Sequence, residues 1–186
     1  YAKRFGYVIK LIAQAKESEE GLFARVEPLL LKADHILAKV DGAFNAILLH
    51  GDEAGDLLLY GKGAGTRPTA SAVVNDLFDL LKGRKSVFPR GMKRSATNIP
   101  HGPHTRYYLR FSVVDQPGVL AKISKCLGEK KVSISEVIQS ERKLGNKVPL
   151  IMVTHHSDEE AIDRAVQAID RLGCVRARSQ KIRIEN

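Results

Sequence analysis

Apolar positions in the second half of the chain switch between two periods, and the switching sketches a fold. The run RYYLRFSVV (106–114) is rich in aromatic and branched residues and predicts a strand. Val119, Leu120, Ile123 and Leu127 then recur at helical spacing. Pro117 suits the first turn of that helix, where a missing N–H costs nothing. KVSISEVIQ (131–139) and VPLIMVT (148–154) predict two further strands, joined by a Gly-Asn turn in ERKLGNK (141–147). Ser157 to Glu160 has the S-x-x-E spacing of a capping box. In the helix after it, Ala161, Ile162, Ala165, Val166, Ile169 and Leu172 share one face, and Gly173 suits the stop. VRARSQKIRIE (175–185) closes as a strand whose apolar phase slips between Ala177 and Ile182, which predicts a bulge. The order is βαββαβ, the ferredoxin-like unit: both helices on one face of a four-stranded antiparallel sheet.

The first half reads as a different α+β layer. GYVIKLIAQAKE (6–17), LFARVEPLLL (22–31), AFNAILLHG (43–51) and DLLLYGKG (56–63) predict four strands. HILAKV (35–40) predicts a short helical turn, and DEAG (52–55) a turn between strands. Pro68 opens a helix through TASAVVNDLFDLL (69–81), stopped by Gly83. One helix against four strands leaves a sheet face open, which predicts a subunit interface or further chain. The opening YAKRFG reads as the tail of a helix, and Tyr1 stands where an initiator Met would, so the expectation is a piece of a longer chain. Between the halves, 83–104 is a linker with Gly83, Pro89, Gly91, Pro100, Gly102 and Pro103. The predicted division is therefore 1–82, linker 83–104 and 105–186.

Composition narrows the class. The chain has 186 residues, 44% apolar and 27% charged, which is ordinary for a soluble packed protein. No apolar run approaches the roughly 20 residues that span a bilayer. The first residues carry no signal-peptide pattern. Cys126 and Cys174 sit in apolar-periodic segments and read as reduced core residues of a cytoplasmic protein. The net charge of +9 raises the question of a nucleic-acid partner. Part of that excess is local to GRKSVFPRGMKR (83–94), where a basic linker explains it equally well.

Two stretches carry candidate chemistry. Gly61, Gly63 and Gly65 lie between a strand and a helix, a context whose free N–H groups can cradle phosphate. The spacing is not G-x-G-x-x-G, and a tight turn needs glycines too. At Asp115-Gln116-Pro117-Gly118 a strand gives way to a helix, and the N–H groups of Gly118 to Leu120 lack intrahelical partners. With the helix dipole they favour a carboxylate or phosphate, and Gly118 admits close approach. Backbone chemistry alone fits a plain turn as well as an anion site. His101 and His104 lack a third ligand nearby, so no zinc site is expected. His155 and His156 read as surface residues, and no nucleophile motif is present.

The second half resembles the ACT domain family of small-molecule sensors, through VVDQPGVLAKIS (113–124) and KKVSISEVIQ (130–139). The first half resembles the later part of the homoserine dehydrogenase catalytic domain. There the match lies in H-x-L-A-x-V-x-G-x-x-N-A (35–46) and G-x-G-A-G-x-x-P-T-A-S-A-V (61–73). The order of the two halves matches the bacterial enzymes. The resemblance implies an NAD(P)-dependent oxidoreductase as the parent, interconverting aspartate semialdehyde and homoserine in threonine and methionine biosynthesis. It places Gly63, Ala64, Gly65 and Thr66 near the cofactor and substrate cleft. The family's Rossmann domain and catalytic Lys and Asp lie upstream of YAKRFG, so inactivity of the chain alone is expected. It also implies a homodimer or higher homo-oligomer through the sheet region and paired ACT domains. The implied effector is an amino acid, threonine foremost. Its site is formed by Asp115, Gln116, Pro117, Gly118, Val119 and Leu120 of one domain with Ile134, Ser135 and Glu136 of its neighbour.

A free-standing amino-acid-binding regulator is the alternative, against which the match in 1–82 weighs. A third class, an RNA-binding ferredoxin-like domain, needs surface aromatics on its central strands. VPLIMVT has none. Neither a nucleic-acid nor a membrane partner is therefore expected.

Overall fold

In a computed structural model of the chain, the described residues are 1–18, 21–84, 102–139 and 147–185. Most of the predicted linker, including its basic run, and most of the ERKLGNK turn lie outside them. The fold is α+β, as the periodicities predict. Residues 1–33 pack with the described part of 97–186, and the described part of 34–96 forms a second compact unit.

The first unit begins with a 3-10 turn, Lys3–Phe5, capped by Gly6 at φ 76°. Strands β1 (Tyr7–Ser18) and β2 (Gly21–Lys32) follow as a hairpin in unbroken register, from Tyr7 opposite Lys32 to Ser18 opposite Gly21. β5 (Arg106–Val113), α2 (Val119–Glu129) and β6 (Ile134–Gln139) are followed by β7 (Val148–Thr154), α3 (Glu159–Asp170) and β8 (Val175–Glu185). The strands form one sheet in the order β1-β2-β8-β5-β7-β6. Its last four members have the ferredoxin-like arrangement.

Side chains of β5 alternate between two cores. Tyr107, Leu109 and Phe111 pack with Ile123 and Leu127 of α2 and with Ile162 and Ile169 of α3. Tyr108 turns the other way, onto Tyr7, Leu30, Ile151 and Ile184. Most of the helical faces read from the sequence are buried: Val119, Ile123 and Leu127 in α2, and Ile162, Ala165 and Ile169 in α3, whereas Leu120 of the predicted α2 stripe is exposed. The predicted bulge in β8 is present. Two residue steps along β5, from Arg110 to Ser112, face three along β8, from Gln180 back to Ala177. Cys126 and Cys174 are half-buried free thiols against the first core.

One expectation is corrected. The four strands of residues 1–82 do not make one layer. The hairpin β1–β2 joins the sheet of the second half through parallel pairing of Leu29, Leu30 and Leu31 with Arg183, Ile184 and Glu185. All three leucines are buried, which is what a strand covered on both faces requires. Pro28, which has no N–H to donate, stands just before that pairing starts.

The second unit holds a 3-10 turn, Ile36–Lys39, the hairpin β3 (Phe44–Gly51) with β4 (Gly55–Lys62), and α1 (Thr66–Leu81). α1 starts two residues before Pro68, which still falls in the first turn. Among the described residues of 34–84 only Ala38 is buried. Ile47, Leu59, Phe78 and Leu81 are all more than half exposed. A two-stranded hairpin with no buried side chains is marginal by itself.

Candidate functional site

The turn after β5 is built by Gly118. It sits at φ 85°, a left-handed conformation that suits glycine, and it is the N-cap of α2. The helix starts at Val119, so Pro117 lies outside it rather than in its first turn. The turn is also tighter than the bare helix-mouth picture: Val119 donates its N–H to the Gln116 carbonyl at 3.3 Å. That removes one of the three donors read from the sequence and leaves those of Gly118 and Leu120. Gln116, Pro117, Gly118 and Leu120 are exposed, Asp115 is half-buried and Val119 is buried. An exposed glycine at a helix N-terminus with two N–H groups to spare is competent to hold a small carboxylate.

Ile134, Ser135 and Glu136 are not near that turn within one chain. Ile134 opens β6 opposite Thr154, whereas Val113, just before the turn, lies opposite Val148. The whole length of β7 separates the two levels, about 20 Å at 3.4 Å per residue. β6 is also an edge strand of the sheet, and Glu136 on it is exposed. The residues named from the sequence thus fall into two groups at opposite ends of the sheet.

Arg106 is a residue the sequence reading missed. Its Nη2 reaches Ser135 Oγ at 3.3 Å and Glu136 Oε1 at 3.5 Å. Nε donates to the Thr154 carbonyl at 3.2 Å, and Nη1 reaches Tyr7 Oη at 3.3 Å. The start of β6 is thereby tied to β1. A basic residue opening a largely buried strand was the available signal.

Gly63 to Thr66 form an exposed loop into α1. Gly63 donates to the Ala43 carbonyl at 3.2 Å, and a Cβ there would overlap the Asn45 side chain. Gly65 is the N-cap at φ 123°. Its carbonyl accepts from Thr69 N and Oγ1 at 3.1 and 2.9 Å. Both glycines thus have structural reasons to be there.

The predicted capping box of α3 does not form. The N-cap is Asp158, whose carboxylate contacts His104 Nδ1 at 2.8 Å, and Ser157 pairs instead with Thr105. His104 and His156 stack with centroids 6.1 Å apart. Among the described residues no group of three or more potential metal ligands comes together. His101 lies outside them. No described helix is long and apolar enough to cross a membrane.

Comparison with known proteins assigns both halves. The homoserine dehydrogenase family matches residues 1–78 and the ACT domain family residues 107–174. Curated homoserine dehydrogenases of Helicobacter pylori and Mycobacterium tuberculosis are 36% and 37% identical over 100% and 99% of this chain. The chain belongs to the homoserine dehydrogenase family. It spans about 45% of the length of those relatives. The crystal structure of a homoserine dehydrogenase from Thiobacillus denitrificans superposes with a TM-score of 0.83 at 37% identity, over 100% of this chain and 44% of that one. The Staphylococcus aureus homoserine dehydrogenase at pH 7.5 gives 0.62 at 25% identity. Both groups of residues lie inside the ACT match, and the Gly63–Thr66 loop lies inside the homoserine dehydrogenase match.

Proposed function

We propose that this chain is the carboxy-terminal portion of an NAD(P)-dependent homoserine dehydrogenase, and that it supplies subunit contacts and amino-acid feedback sensing. The observation that carries the reading is similarity to curated homoserine dehydrogenases across the whole chain, both halves included. In the parent enzyme the dinucleotide supplies the hydride chemistry. In the Gly63–Thr66 loop the Gly63 N–H is taken by the Ala43 carbonyl, and Ala64 to Thr66 offer backbone N–H groups and the Thr66 hydroxyl at the start of α1, which suits them to the edge of a phosphate or carboxylate.

Sensing is assigned to a dimer. A two-fold axis perpendicular to the sheet, at the β6 edge, runs two sheets together with their strands antiparallel. The Asp115–Leu120 turn of one chain then faces the Ile134–Glu136 end of its partner. The turn's N–H groups take the effector carboxylate, and Glu136 or a carbonyl beside it takes the ammonium. Threonine is the expected effector, acting by binding two conformations of the enzyme unequally. The bare apolar surfaces of α1 and of β3–β4 support burial against other chain in the assembled enzyme.

Calorimetry with threonine, homoserine, methionine, lysine and alanine tests the reading. Threonine gives heat with the wild-type chain, and Gly118→Asp, which adds bulk and negative charge at the helix mouth, removes the turn-site binding. Absence of heat with every amino acid contradicts it.

A further inference from the structure

A second pocket lies within a single chain, away from the turn. A cavity of about 200 Å³ opens between β2, β8 and α3, walled by Glu27, Pro28, Tyr107, Glu159, Lys181 and Arg183. Tyr107 is 1% exposed, and its hydroxyl finds no hydrogen-bond partner among the described residues. Buried hydroxyls are normally paired, so an unpaired one beside a cavity marks a place where a polar group would be favoured. Burial first, and then the charges of Glu159, Asp163 and Glu27 against Arg183, push the phenol pKa well up. The group stays an O–H, in a field that carboxylates dominate.

The wall carries both signs of charge. Glu159 accepts from Lys181 Nζ at 3.2 Å, and Lys181 also donates to Asp163 at 2.6 Å. Arg183, almost fully buried, is held by Glu27 at 2.9 Å and by Gln14 at 2.6 Å. The Lys181 ammonium lies 5.7 Å above the Tyr107 ring. A net anion meets Glu27 and Glu159, and a net cation meets Lys181 and Arg183. A molecule with both charges close together complements both. The volume is below the roughly 300–1,000 Å³ of pockets for drug-sized ligands, which excludes a nucleotide.

We propose that this cavity binds a small zwitterion with a primary ammonium group, the chemistry of a free amino acid. The ammonium donates to Tyr107 Oη and to the carboxylates of Glu27 or Glu159, and the ligand carboxylate sits at Lys181. This site needs no second chain and does not depend on the turn site being real.

The test is calorimetry with glycine, threonine and homoserine on wild type, Tyr107→Phe and Gly118→Asp, with ethanolamine and acetate as half-ligands. Tyr107→Phe removes only an unpaired hydroxyl, so without ligand it melts no lower than wild type. The expected result is binding that survives Gly118→Asp, weakens at least tenfold in Tyr107→Phe, and is at least tenfold weaker for either half-ligand than for the zwitterion. Lys181→Met, which lacks the carboxylate partner, shows the same loss. The proposal is overturned if no zwitterion binds, if Tyr107→Phe binds as wild type because a water alone satisfies the hydroxyl, or if Gly118→Asp abolishes all binding. Loss in Gly118→Asp alone would leave only the turn site.

Discussion

Arg25 of β2 holds Glu159, the first residue of α3, through a single nitrogen: Nη1 lies 2.8 Å from Oε1 and 2.9 Å from Oε2. The contact spans 134 residues of sequence and fastens the first hairpin to the ACT half. Lys181 shares the same carboxylate at 3.2 Å. Glu159→Gln keeps the shape and removes the charge. Partly solvated, this interaction is worth about 1–2 kcal/mol, less than a fully buried charged hydrogen bond. Urea unfolding of the variant is expected to show that loss at pH 7. A midpoint equal to wild type would mean the pair contributes nothing.

The same carboxylate makes a pH prediction. Burial opposes its ionisation, but hydrogen bonds from Arg25 and Lys181 outweigh burial, and its pKa falls below the usual carboxylate value. A depressed folded-state pKa gives stability that is full above the unfolded value, about 4.3, and is lost as pH falls through the folded one. Melting temperatures followed from pH 6 to pH 3 should drop less steeply in Glu159→Gln than in wild type. Parallel curves would contradict this.

Leu30 tests the shared sheet. It is wholly buried and packs with Tyr108, Ile151 and Ile184. Leu30→Ala should cost about 2–5 kcal/mol, the range for truncating a buried leucine. If β1–β2 were a separate layer, the same change would leave the melting of the ACT half alone. Denaturation monitored by hydrogen exchange in β5 and β7 distinguishes the two.

Gly118→Ala separates conformation from space. A Cβ at Gly118 meets nothing within 4 Å, so the cost comes only from φ 85°. About 1 kcal/mol of destabilisation is expected, with the fold intact. Crystallography or NMR showing the turn flipped out of the left-handed region at no cost in stability would count against the description of this cap.

Much of the second half was legible because its apolar residues keep strict periods. Ile123 and Leu127, Ile162 and Ile169, and the β8 bulge all fall where that pattern put them. What was not legible was pairing at long range. Leu29 meets Arg183 across the whole chain, and the one hint was three consecutive leucines in a strand, a run too apolar for a half-exposed sheet. The capping box failed because the Ser157 N–H donates to the Thr105 carbonyl, and Glu160 lies 3.5 Å from Arg164 instead. The turn from Asp115 to Leu120 was legible from its motif. Their separation from Ile134 to Glu136 needed the register of β7, and the tie from Arg106 needed side chains.

The proposed effector site is shared between two chains, and subunit complementation is its sharpest test. Gly118→Asp breaks the turn half-site, and Glu136→Lys breaks the strand half-site. Neither variant alone is expected to bind threonine at the turn. Refolded together, half the dimers are mixed, and each mixed dimer has one intact site and one doubly broken site. Calorimetry should then recover about a quarter of the wild-type sites, as two-fold symmetry requires. No recovery on mixing, with both variants folded and dimeric, would contradict a site divided between chains.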